Sequence, residues 1–298
     1  MARWVYAIGG DEGDATLPLD SIERAPVGVY GDLGEWEILP GILPFPLTLA
    51  GTAIIGEFVY LVGGQDGVGP LATTWRAHIL DPDEVPELDA VSIDDAGGLG
   101  GGDWVWRVAT LYDPADVSNP GGESLPSDPF VITLPDTGDL AVGLSWFPVD
   151  GAIGYRVYRS LAADTDGDLA WIGDTTLPSF RDEGAAADTT RTPLPEGALG
   201  EWASLPVLLD ARESPCVAVA PDPIPDPEIV YLYAAGGRAP DGSALDTVEV
   251  LDVTVVRDGE HRAGAWRDAG VTLSDPRWAC GAWTVDASRH SVVEADET

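Results

Sequence analysis

Asp164, Asp166 and Asp168 stand at alternate positions around Gly167, the densest run of ligating side chains in the chain. Alternate carboxylates with a glycine suit a hard cation such as Ca²⁺. The same Asp-Gly step is ordinary hairpin chemistry, and the glutamate that closes a twelve-residue calcium loop is missing. The three aspartates are a candidate Ca²⁺ site, and no other cofactor is expected. Three histidines, His78, His261 and His290, fall in no HxH or HExxH spacing, so no histidine metal centre is expected. No serine sits in a GxSxG elbow, and no glycine-rich phosphate loop opens a helix. Acidic residues number 51, so any one carboxylate pair is uninformative as an acid–base couple, and a solvated face explains it equally well. The expectation is a non-enzyme with no catalytic residues.

Indole faces stack on sugar rings, so the 11 tryptophans are the next candidates. Trp36, Trp202 and Trp266 recur at equivalent places, while Trp104, Trp106 and Trp146 alternate along strand-like runs, which is core usage. Trp75, Trp278 and Trp283 have neither excuse and are candidate binding residues, for a glycan or a protein surface. Cys216 and Cys280 each lie 14 residues after a recurring tryptophan. They are expected as equivalent small apolar positions with buried thiols.

The charge narrows the partners. All 15 basic residues are arginine, and the formal net charge is −36, which repels nucleic acid and anionic membrane. No run of 18 apolar residues exists to span a bilayer. A strand-like run begins by Trp4, so no signal peptide is expected within this sequence. The extracellular surface or a virion released by lysis is the expected location, with the cytoplasm as the alternative. With 36 glycines and 25 prolines among persistent apolar runs, the chain is expected to be an all-β, turn-rich globular protein.

The elements that position these residues are repeats. Trp4–Gly10, Phe58–Gly64 and Ile229–Gly237 are each an apolar run rich in β-branched and aromatic residues and closed by a glycine pair, which suits a buried strand with a sharp exit. Leu19-Asp20-Ser21-Ile22-Glu23, Leu71-Ala72-Thr73-Thr74-Trp75 and Leu245-Asp246-Thr247-Val248-Glu249 follow as the next strand. Gly34-Glu35-Trp36, Gly200-Glu201-Trp202 and Gly264-Ala265-Trp266 open a further one. Then come Leu49–Ile55, Cys216–Ala220 and Trp278–Trp283. The tryptophan stands 26 and 29 residues after the second glycine in the first and third copies but 138 after it in the second. About 110 residues are therefore inserted there, at a place where surface loops tolerate additions.

The diglycine, the spaced tryptophan and the order of four strands resemble kelch repeats over residues 1–84 and 191–298. The resemblance implies a β-propeller with one four-stranded blade per repeat. The regular tyrosine of that family is not placed here, and Ser291–Asp296 stands where a fourth copy would and lacks the glycines. Such propellers close by setting a C-terminal strand, here Arg277–Asp286, beside the N-terminal one. Three complete blades fall short of the usual four to eight, so other protein chains, in a homo- or hetero-oligomer, are expected to complete the ring.

Residues 85–190 carry strand-like runs at Asp103–Ala109, Phe130–Leu134, Leu140–Trp146, Gly154–Ser160, Leu169–Gly173 and Ser179–Asp182. The pieces "WRVATL", "GES", "LSW" and "GYRVYRS" resemble a fibronectin type III β-sandwich, with the strand pair that normally ends the domain coming first. The two resemblances imply a structural or adhesive binding module of a virion tail or cell surface, taking protein or glycan through propeller loops and the inserted domain. An intracellular interaction scaffold is the alternative, and a carbohydrate-active enzyme ranks below both.

Overall fold

The structure, a computed structural model, describes residues 3–136, 138–161, 168–222, 228–255, 261–282 and 284. Among the described residues every regular element is a strand, and every strand pair of defined register is antiparallel. The all-β expectation is met. By contact density the chain divides into two units. One comprises residues 1–8, 20–44 and 77–203; the other comprises 9–19, 45–76 and 204–298.

The recurring sequence makes recurring sheets. β1 (Trp4–Ile8), β2 (Ser21–Pro26) and β3 (Glu37–Ile42) form one, in that order. β4 (Gly51–Ile55), β5 (Phe58–Val62) and β6 (Thr74–His78) form the next. Its fourth strand is β14 (Ala203–Leu205), which follows seven intervening strands in sequence. β15 (Cys216–Pro221), β16 (Glu228–Ala235), β17 (Thr247–Val255), β18 (His261–Ala263) and β19 (Arg267–Thr272) form the third. Each recurring tryptophan stands immediately before a strand, at Glu37, Ala203 and Arg267. The pentapeptides open their strands later than the sequence suggests, because their leucines are spent on the turn.

That turn is the same in all three copies. The paired glycines adopt φ of 58° and 103° at Gly9-Gly10, 62° and 100° at Gly63-Gly64, and 63° and 108° at Gly236-Gly237. A side chain rarely adopts that left-handed pair, so glycine is required. The second glycine donates its N–H to the carbonyl of Leu47, Arg212 or Arg277, and its own carbonyl accepts from Leu19, Leu71 or Leu245. Those leucine carbonyls then receive the N–H of Leu47, Arg212 or Arg277. Two residues further on, Leu49, Ser214 and Ala279 all take positive φ, at 55°, 47° and 55°. The Ser214 N–H donates to the Leu49 carbonyl and Ala279 N–H to the Ser214 carbonyl, so successive copies are joined backbone to backbone. The core of the unit formed by residues 9–19, 45–76 and 204–298 gathers Phe58, Tyr60 and Val62 of β5 with Leu232, Leu251, Val253 and Trp266.

Three expectations are corrected. Trp36, expected with Trp202 and Trp266 at a core position, is 46% exposed. Residues 273–282, which include most of the described part of Arg277–Asp286, contain no strand; Trp283 and the residues beyond Thr284 lie outside the described residues. Cys216 and Cys280 are not free thiols but a disulfide. Their equal spacing from the tryptophans misled, because the backbone aligns Cys280 with Pro215 and Cys216 with Gly281. In the preceding copy Gly51 occupies the place of Cys216 and lies against Pro215 and Val217. The bridge therefore crosses the same junction one copy later.

The unit of residues 1–8, 20–44 and 77–203 holds β1-β2-β3 and, in addition, two sheets that share one core. β7 (Leu88–Leu99), β10 (Leu140–Trp146) and β13 (Ser179–Asp182) form a three-stranded sheet in the order β13-β10-β7. β8 (Gly102–Tyr112), β9 (Phe130–Leu134), β11 (Ala152–Leu161) and β12 (Ala170–Thr175) form a four-stranded one in the order β12-β11-β8-β9. Alternate residues of both meet in a shared core of Trp106, Val108, Phe130, Val142, Leu144, Trp146, Tyr155 and Val157. The six strand-like runs of the sequence are all strands; β7, acidic and mostly exposed, was not foreseen.

Candidate functional site

The outer face of the four-stranded sheet carries polar chemistry because β11 alternates. Tyr155 and Val157 point into the core, so Arg156 and Tyr158 face outward. Residues 122–127 dock along β8. Tyr112 N–H donates to Gly122 O, Ser124 exchanges bonds with Thr110, and Ser127 Oγ accepts from Val108 N–H at 3.0 Å. This docking brings Glu123 over Arg156 and Tyr158, which lie 33 and 35 residues away in sequence.

The contacts form a chain. Arg156 Nη1 donates to Glu123 Oε2 and the Tyr158 hydroxyl to Glu123 Oε1, each at 2.5 Å. Arg156 Nε also reaches Asp174 Oδ1 at 3.1 Å, and the Trp171 indole donates to the same oxygen at 2.7 Å. The Arg191 guanidinium lies over the Trp171 ring, 4.1 Å from its centroid. Glu123 is 11% exposed at its side chain. Burial pushes its carboxyl above the ordinary range, and the bonds from Tyr158 and Arg156 offset this only in part. Burial, and then the Glu123 charge, pushes the Tyr158 hydroxyl strongly upward.

Beside this pair opens a cavity of about 330 Å³, of the size that takes a small ligand. Glu123 and Arg156 form its charged wall; Trp202, Glu201, Leu194 and the β3 segment Leu39–Ile42 form the rest. Asn119 braces the wall, its amide nitrogen donating to Glu123 O at 3.1 Å and its oxygen accepting from Glu201 N–H at 2.8 Å. Glu123 is paired with Arg156 in this wall, while Glu201 adds a further carboxylate to the lining. The wall can offer hydrogen bonds to a neutral ligand, whereas proton transfer from Glu123 would cost the bonds that hold both its oxygens.

A second ion pair, Arg212 with Glu249, is 0% and 2% exposed at its side chains. Arg212 donates to Gly236 O at 2.7 Å, and Glu249 accepts Leu209 N–H at 2.7 Å, so this pair ties the diglycine turn to β17. Arg159 and Asp182 make a third buried pair at 2.7 Å, joined by the Trp106 indole.

The residues singled out from sequence are dispersed. Asp164 and Asp166 lie outside the described residues, and Asp168 is exposed. Among the described residues, no group of three or more His, Cys, Asp or Glu side chains is placed to hold a metal ion. Trp75 is half-buried, edge-on to Phe45 at 5.7 Å. Trp278 is 48% exposed beneath Arg238. Trp283 lies outside the described residues. The two described tryptophans thus have different partners. From sequence, Glu123 was read only within the piece "GES" and Arg156 only within the strand-like "GYRVYRS", where the outward phase of Arg156 was the available signal. His261, whose Nδ1 lies 3.1 Å from the Tyr60 hydroxyl, is a buried core histidine.

No helix among the described residues is long and apolar enough to cross a membrane. No protein-family model matches the chain, and no curated protein matches it significantly.

Proposed function

We propose that the chain is a non-enzymatic structural and binding module. Its repeats are read as kelch-type propeller blades, and the strands between β6 and β14 as an inserted, permuted fibronectin type III-like sandwich. The observation that carries this reading is the threefold recurrence of one diglycine turn, with the same φ values and backbone bonds, between strands of the same order. Such a scaffold is rigid where it repeats and free to present loops where it does not.

Two ligand-facing features follow from the reading. The sheet β1-β2-β3 has no strand beyond β1 among the described residues, where the other two repeat sheets have β4 and β15. A further strand from another chain completes it, so the protein assembles with protein partners. The cavity at Glu123 and Arg156 takes a neutral glycan unit, with Trp202 as the stacking surface. A location at the cell surface or on a virion accords with the disulfide, since oxidising surroundings preserve one. The aspartates Asp164, Asp166 and Asp168 remain a proposed Ca²⁺ loop, to be checked by calorimetric titration with Ca²⁺.

The deciding experiment is a glycan array on the intact chain and on Arg156→Met and Trp202→Ala, with native mass measurement in parallel. Glycans retained by the wild type and lost by both variants support the cavity. Glycan turnover abolished by Glu123→Gln would overturn the non-enzymatic reading.

A further inference from the structure

The β2–β3 connection is a firmly bonded hairpin that presents apolar side chains to solvent. Val27 and Leu33 bridge its stem. Gly28 N–H donates to Asp32 O at 2.7 Å, Gly31 N–H to Gly28 O at 3.0 Å, and Gly34 N–H to Pro26 O at 2.9 Å. Gly31, at φ 84°, makes the reversal that a side chain would resist. The tip residues Val29 and Tyr30 are 95% and 97% exposed. Leu33, Trp36, Ile38 and Ile42 continue the run down the hairpin, each between 46% and 73% exposed. A lone exposed apolar residue needs no explanation, but six large ones on one ordered hairpin mark a binding surface. Its order matters energetically, because a preformed turn loses little entropy on docking.

Charge selects the occupant. Residues 20–44 contain five acidic side chains and one arginine, Arg24. Arg24 is 4% exposed, so it offers no positive charge to a partner. Asp32, Glu35 and Glu37 flank the apolar run and are exposed. A second copy of this chain, with net charge −36, is repelled there, as is an anionic membrane. We propose that Val29 and Tyr30 are the anchor by which this protein docks into an apolar pocket, rimmed by lysine or arginine, on a different protein. Tyrosine is among the residues that carry binding energy in such pockets. The inference rests on the reading of the chain as a binding module and gives its protein-binding side a surface.

The test pans a random peptide library displayed on phage against the intact chain and against the double variant Val29→Ser, Tyr30→Ser. Selected peptides are expected to combine aromatic or aliphatic residues with lysine or arginine. They should bind the double variant about thirtyfold more weakly, the loss of one hot-spot residue, and should weaken as salt is added. An unchanged Tm certifies the variant's fold, and Tyr30→Ser alone serves if it does not. Failure to select any peptide that discriminates the variant overturns the proposal, as does selection of acidic or uncharged peptides. A dimer in sedimentation that the double variant dissolves overturns it too, by making a second copy the occupant. The glycan array on the Arg156 variant reads the wider binding-module proposal separately, since the cavity is not touched by the tip substitutions.

Discussion

At the scale of single residues, the glycine pairs separate two costs that usually come together. Gly10 and Gly64 have nearly the same φ, 103° and 100°. A Cβ on Gly10 meets nothing within 4 Å, whereas one on Gly64 would lie 2.8 Å from both Leu47 Cδ1 and Thr48 O. Gly10→Ala is therefore expected to cost only the left-handed backbone penalty, about 1–2 kcal/mol. Gly64→Ala should cost clearly more, and paired urea denaturation curves give the difference directly. Glu123 makes a pH prediction with an unusual sign. Its folded pKa lies above its ordinary 4.5, so the folded state holds the proton more firmly than the unfolded one. The stabilisation from that proton is present below pH 4.5 and is lost as pH rises through the folded value. In Glu123→Gln this fall is expected to vanish from a plot of stability against pH. The turn aspartates Asp14, Asp66 and Asp241 behave oppositely. Bonds from Thr16, from the Val68 and Gly69 amides, and from Ser243 hold their carboxyls low, so their contribution is lost as pH falls through the lowered values.

At the scale of elements, the disulfide fastens a segment that no strand pairing holds. Residues 273–282 rest on isolated backbone bonds at Gly237, Leu245, Asp246 and Ser214 and on the link from Cys280 to β15. The bridge spans 64 residues, for which the chain-entropy estimate is about 4 kcal/mol. Cys280→Ser should lower denaturant stability by up to that amount, and reducing the wild type should reproduce the variant's melting curve. The strands themselves were legible because each is short, apolar and bounded by glycine or proline. β7 was not, since its run Asp89–Gly98 is exposed and acidic and earns its place only by pairing with β10. Likewise Trp278 read as part of a strand, but its segment has no neighbouring strand to bond with among the described residues.

For the molecule as a whole, charge is the dominant unbalanced force. At −36 the folded state repels itself, and the buried pairs Arg212–Glu249 and Arg159–Asp182 neutralise only a few of the carboxylates. Raising ionic strength from about 0.01 M to about 0.15 M shortens the screening length from roughly 30 Å to roughly 8 Å. Calorimetry across that range is expected to show a rising Tm; a falling one would mean that surface ion pairs such as Arg181–Asp94 outweigh the repulsion.

The amino-acid order alone determined the all-β class and the threefold diglycine turn, because glycine pairs and apolar runs act on the backbone within a few residues of themselves. The pairing of β6 with β14, the bridge between Cys216 and Cys280, and the meeting of Glu123 with Arg156 were decided only by the tertiary structure. Each joins residues far apart in the chain, and local pattern does not encode which distant partner arrives; packing of the intervening sheets does.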